Sequence, residues 1–239
     1  MQCPGQDMRY WKPGAIFDAP CPKCGTFIEF FKDEAVRKCP NCGHKVANPR
    51  MDFGCATYCQ YAEQCLGQLP VELLAERKEL LKDRVAVEMK RYFGSDFKRI
   101  SHATKVARYA EEIGKAEGAD MVVILLSAYL HDIGIHEAER KYHSTAGTYQ
   151  EIEGPPIARE ILNKLKAPQE VIAEVCDIIG HHHHPRSKET LNFQILYDAD
   201  LIVNLEEEPK EEEKVKELLQ KAFFTEAGRR LAKDVLLKK

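Results

Sequence analysis

The sequence predicts a mainly α-helical domain behind a small cysteine-rich module stapled by metal. Three observations carry that reading. Eight of the nine cysteines fall within the first 65 residues, and only Cys176 comes later. From about Leu69 onward, apolar residues recur at three- and four-residue spacing with charges between them, the period of an amphipathic helix. After Gly67 there is neither an alternating strand pattern nor an internal repeat. The expected organisation is residues 1–67 as the metal-binding module and 68–239 as the helical domain.

The first segment is rich in Cys, Pro and Gly, with short apolar stretches such as TFIEFF. Such a segment buries too little apolar surface to fold unaided and needs staples. LPVELLAERKELLKDRVAVEMKRYF then opens the helical texture. Ser101 is expected near the start of the helix in HATKVARYAEEIGKA, and Gly118 at its end. ADMVVILLSAYLHDIG, apolar nearly all round, reads as a buried helix. EGPPIAREILNKLKA places Pro-Pro at a helix entry, where a missing N–H costs little. PQEVIAEVCDIIGHHHH, LNFQILYDADLIVNLEEE and the charged tail from Pro209 complete the helices.

The 239 residues are 44% hydrophobic and 31% charged, with a net charge of -3, an ordinary globular composition. That charge gives no general pull toward nucleic acid or an anionic membrane. The N-terminus lacks the apolar core of a signal peptide, and the run Met121–Leu130 is too short to span a bilayer. A cytoplasmic protein without a membrane partner is therefore expected. In a reducing compartment cysteines favour metal thiolates over disulfides.

CPKCG (Cys21, Cys24) and CPNCG (Cys39, Cys42) are two C-x2-C knuckles separated by fourteen residues. Four thiolates converging from two tight turns suit a tetrahedral zinc, and TFIEFF and AVRK supply material for a short hairpin between them. Over roughly residues 15–48 the segment resembles the zinc ribbon family. His44 reads as an exposed turn residue, since four thiolates already fill the shell. Cys55, Cys59 and Cys65, together with Cys3, make a second set of four that suits zinc or an iron–sulfur cluster. Cys176, on an apolar helix, reads as a packed small side chain.

The helical domain carries His102, the adjacent pair His131-Asp132, and Asp200 in an apolar helix. An ionisable pair at the end of a buried helix is costly unless it is ligated or hydrogen-bonded. Imidazole and carboxylate suit Mn, Fe, Co, Ni or Zn. A lone His, then HDIG about thirty residues on, then an Asp in an apolar helix resembles the HD-domain superfamily of phosphohydrolases. The likeness covers approximately residues 95–206, with further matches in GPPIAREIL, IIGHHHHP and YDADLIVNL.

The resemblance implies a helical bundle in which His102, His131, Asp132 and Asp200 hold one divalent ion. It also implies phosphate-ester hydrolysis by metal-activated water, with a nucleotide or other small phosphorylated metabolite as substrate. His131 and Asp132 form the catalytic pair, Asp132 also orienting the nucleophile; Arg99 and Lys141 are the candidate cations for the phosphate. Within the run His181–His184, His182 and then His183 are the candidates for a second ion. Gln150 stands where dinuclear members carry His, so Asp198, His136 and His143 are kept as substitutes. Ile135 replaces the Lys that many members carry after HDIG.

Two alternatives stay open. In one, the chain is a regulatory HD protein whose cysteine module senses redox state or metal supply and docks a partner. In the other, it handles polynucleotides, which the near-neutral charge disfavours. The apolar stripe of the C-terminal helices packs on the bundle or makes a homodimer contact.

Overall fold

The computed structural model describes residues 16–31, 34, 36–50 and 71–237, with the side chains of the first helix described from Leu80 onward. Cys3, Cys55, Cys59 and Cys65, and with them the second cysteine set and the expected boundary after Gly67, lie outside the described residues. The chain divides into two compact units, Met1–Leu80 and Leu81–Lys239.

In the first unit, β1 (Ile16–Pro20) pairs antiparallel with β2 (Phe27–Phe31), and β3 (Val36–Lys38) with β4 (Lys45–Ala47). The sequence suggested one hairpin between the knuckles; instead each knuckle is the turn of its own hairpin. The reason lies in local hydrogen bonding. Cys21 N–H donates to the Thr26 carbonyl and Cys39 N–H to that of His44, while Gly25 and Gly43 N–H return to the carbonyls of Cys21 and Cys39. Gly25 and Gly43 take φ of 73° and 68°, a region that glycine enters without a Cβ clash. Ala19, Cys21, Ile28, Phe30, Cys39 and Val46 form a small core of their own.

The division falls within α1 (Val71–Phe93), and among the described residues the regular structure of the second unit is all helix: the rest of α1, then α2 (Phe97–Glu117), α3 (Met121–Leu130), α4 (Ile135–Tyr142), α5 (Gly147–Lys164), α6 (Gln169–Ile179), α7 (Leu191–Glu207), α8 (Glu212–Lys221) and α9 (Glu226–Leu237). The mainly helical class predicted from periodicity is what the chain adopts. Helix α2 packs on both α3 and α7, and α6 on α3 and α5. Val85, Met89, Ile113, Ile124, Leu126, Phe193 and Ile202 are among the buried residues of one continuous core.

Helix ends follow the side chains that can satisfy free amides. Asp96 accepts from Arg99 N–H at the start of α2, and Asp120 from Val122 and Val123 N–H at the start of α3. Ser101, expected near that first start, lies inside α2, because the Asp96 cap begins the helix earlier. Gly118 closes α2 with φ 72°, as expected. Pro155 and Pro156 sit inside α5 rather than at its entry, since the helix already begins at Gly147. The segment Met121–Tyr142 is long and apolar enough by composition to cross a membrane. However, 67% of its most apolar window is buried, and turn residues 131–134 break it into α3 and α4.

Candidate metal centre

The break between α3 and α4 is where the chemistry converges. His131 caps α3 and Asp132 enters the turn, while His102 comes from α2 and Asp200 from α7. His102 Nε2 lies 3.2 Å from His131 Nε2 and 3.0 Å from Asp200 Oδ1. Asp200 Oδ1 is 3.6 Å from His131 Nε2, and Asp132 Oδ2 stands 3.4 Å from His131 Nε2 and 3.8 Å from His102 Nε2. His102, His131 and Asp200 thus form one group of donors, and Asp132 adjoins it through the two histidines.

The donor chemistry fits a cation at that point. His131 Nδ1–H donates to the Ala128 carbonyl at 2.9 Å, and His102 Nδ1–H to Glu207 Oε2 at 3.1 Å. Each ring therefore spends its N–H outward and aims the lone pair of Nε2 inward. Two lone pairs and two carboxylates facing one another need positive charge between them. The protonation balance says the same. Burial pulls the His102 and His131 imidazoles down, yet Asp132 and Asp200 outweigh it and hold both above their ordinary value. Ligand atoms about 2.1 Å from a shared ion stand ~3.0–3.4 Å apart, close to the spacings here.

A second group adjoins the first. The other oxygen of Asp132, Oδ1, lies 3.5 Å from His182 Nε2, and Asp132, His182 and His183 make a further trio of converging donors. His182 Nδ1–H donates to the Ile179 carbonyl at 2.8 Å, which leaves Nε2 buried without a hydrogen-bond partner among the described residues. Its neighbours in the run serve other ends. His181 stacks on Phe193 and faces Glu189, and His184 meets Glu151 at 2.7 Å.

The remaining candidates are distributed elsewhere. Arg99 lines a cleft of about 520 Å³ with Lys98, His102, Asp132, Asn204, Glu207 and Glu208, so it borders the ligand cluster. Lys141 does not: its Nζ is 2.5 Å from Glu153 on the wall of a different groove, between Tyr92, Glu137 and Glu160. Asp198 receives the N–H of Phe224 and Thr225 and the hydroxyl of Thr225, so it anchors the start of α9 rather than a metal. His136 hydrogen-bonds Asp96, and His143 ends α4 in the left-handed region. Gln150 donates to the Thr145 carbonyl. Glu207 and Asn204, whose Nδ2 donates to Asp200 Oδ2 at 3.0 Å, were not anticipated. They sit seven and four residues after Asp200 on α7, a helical spacing that was there to be read.

Residues 99–215 match the family model of the HD domain. This stretch is an HD domain. The chain is also similar to the crystal structure of a predicted HD superfamily hydrolase from an uncultured Thermotogales bacterium. That likeness has 24% identity and a TM-score of 0.48, and covers 70% of this chain and 90% of the other. No protein of curated function matches the chain. The matched stretch includes all four converging ligands, together with His182 and His183. Beside the HD domain, the first unit gathers its own donors. Cys21 Sγ is 3.7 Å from Cys42 Sγ and Cys24 Sγ 3.5 Å from Cys39 Sγ, the four lying in one cluster with no disulfide among them.

Proposed function

We propose that the HD domain is a metal-dependent phosphohydrolase acting on a nucleotide or another small phosphorylated metabolite. The observation that carries this reading is the convergence of His102, His131 and Asp200, with Asp132 within 3.8 Å of both histidines, beside an open cleft. A divalent transition metal (Mn, Fe, Co, Ni or Zn) held there supplies Lewis acidity toward water and a phosphoryl oxygen. The protein does the positioning. Asp132 lines the cleft, so water entering it meets a carboxylate that accepts its hydrogen bond and orients its lone pair. His102 and His131 hold their rings by outward hydrogen bonds and keep Nε2 aimed inward. A second ion beside the first, held by Asp132, His182 and His183, belongs to the same proposal and is supported by the unpartnered Nε2 of His182. A structural zinc at Cys21, Cys24, Cys39 and Cys42 completes the metal complement; Sγ atoms on a common zinc with bonds of about 2.3 Å stand ~3.8 Å apart.

The test is phosphate release from a panel of nucleotides and phosphate esters with each metal supplied in turn. Asp132→Ala and His131→Ala are expected to lose at least about a hundredfold in rate while keeping the helical circular-dichroism spectrum. Wild type as silent as both variants, in samples with measured metal content, would end the phosphohydrolase reading.

A further inference from the structure

Hydrolysing a phosphate ester requires the anion to be met by positive charge that is not already committed. The cleft over the metal centre is lined by two cations, Lys98 and Arg99, and three carboxylates, Asp132, Glu207 and Glu208. Arg99 is committed: Nη2 lies 2.8 Å from Glu139 and Nε 3.4 Å from Asp96. Lys105, one turn beyond His102, is committed as well, at 3.3 Å from Glu207. Lys98 has no carboxylate partner among the described residues, is exposed, and precedes His102 by one helical turn on α2.

We propose that Lys98 is the residue that receives the substrate's phosphoryl group, and that the cleft selects esters of a single phosphate over polyphosphates. This rests on the phosphohydrolase reading above and deepens it. The charge arrangement gives the selectivity. One free ammonium balances part of one phosphoryl dianion. A further phosphate leaving the metal centre along the cleft meets Glu207 and Glu208, whose cations Lys105 and Lys210 stand 3.3 and 3.7 Å from them, and finds no second uncommitted cation among the described lining residues. Carboxylates and the Asn204 amide suit the hydroxyl groups of an uncharged remainder, which donate to the former and exchange hydrogen bonds with the latter. The substrate class is thus a phosphomonoester of a hydroxylated small molecule. A polyphosphate chain would bring further negative charge that one uncommitted lysine does not match.

The experiment uses full-length, metal-loaded protein. Inorganic phosphate is titrated calorimetrically, and KM and kcat are measured for a nucleoside monophosphate, p-nitrophenyl phosphate and the matching nucleoside triphosphate. Lys98→Met is expected to weaken phosphate binding about tenfold or more and to raise KM for the monoesters in step, with kcat within about threefold. Lys98→Arg should recover most of the binding, and Lys90→Met, an exposed lysine on α1, should change nothing. Wild type should turn over the triphosphate at least about tenfold less efficiently than the monophosphate. Unchanged phosphate affinity in Lys98→Met would overturn the assignment of Lys98, and equal efficiency on the triphosphate would overturn the selectivity. If wild type hydrolyses none of the esters, the phosphohydrolase reading fails on its own, and the phosphate titration still decides whether Lys98 binds the anion.

Discussion

Glu207 joins two charges that the HD centre depends on. One carboxylate oxygen accepts from His102 Nδ1–H and the other faces Lys105, so the ring of His102 is fixed in both tautomer and direction. Replacing Glu207 by Gln keeps the shape but removes the charge that makes Nε2 a stronger donor. It also lets the amide present N–H to a nitrogen that already carries a proton. We expect Glu207→Gln to lower metal affinity or turnover by about 10–100-fold, with stability changed by no more than about 1 kcal/mol. Competition with a metal indicator dye measures the first, and urea denaturation of the metal-free protein the second. Of the four proposed ligands, His131, Asp132 and Asp200 stood out because His and Asp are rare in apolar helical runs, and His102 stood out only through the HD resemblance. Glu207 and the proposed phosphate-binding Lys98 did not stand out, because a charged residue on a helix ordinarily marks a solvated face, and only its spacing from Asp200 or His102 sets it apart. The His181–His184 run shows the same limit. Four identical residues follow the end of α6 at Gly180, and only the tertiary partners separate the two that face Asp132 from the two that hold the loop.

The elements around the centre meet through two glycines. A Cβ on Gly134 would lie 2.5 Å from Gly154 N and 2.6 Å from the Gln150 carbonyl oxygen, both backbone atoms of α5. A Cβ on Gly154 would lie 2.8 Å from Ile179 Cγ2. The HDIG turn therefore rests directly on α5, which in turn rests on α6 just before the histidine run. This stack places Asp132 opposite His182. Gly134→Ala cannot be absorbed by a flexible side chain, so the turn must lift. We expect a destabilisation of about 3 kcal/mol or more in urea, together with loss of tight metal binding. A stable variant with wild-type metal affinity would show that the turn does not depend on this contact. The helices themselves were legible from periodicity, and Gly118 from its position after the last apolar residue. The two short hairpins and the early start of α5 were not, because their boundaries are set by backbone partners such as Thr26, His44 and Ala146 that no apolar pattern marks.

At the scale of the molecule, the two units stand on different supports. The helical unit has a large continuous core, whereas the described residues of the first unit form a cluster of six buried apolar side chains, two of them the thiol-bearing Cys21 and Cys39. Six apolar side chains give two short hairpins little burial to hold them together, and the zinc proposed at both knuckles would tie the hairpins to each other. Among the described residues, the apolar core of the helical unit is a cluster of its own. Substituting Cys39→Ser in the full chain should therefore remove one zinc per chain and melt the hairpins. It should leave the main thermal transition of the helical unit within about 2 °C of wild type and the phosphohydrolase rate within about twofold. Metal analysis by mass spectrometry, differential scanning calorimetry and the phosphate-release assay read these three quantities in one preparation. A large fall in the helical transition, or in the rate with the HD metal still bound, would mean that the cysteine module supports the HD domain directly. The two units would then have to be treated as one folding body.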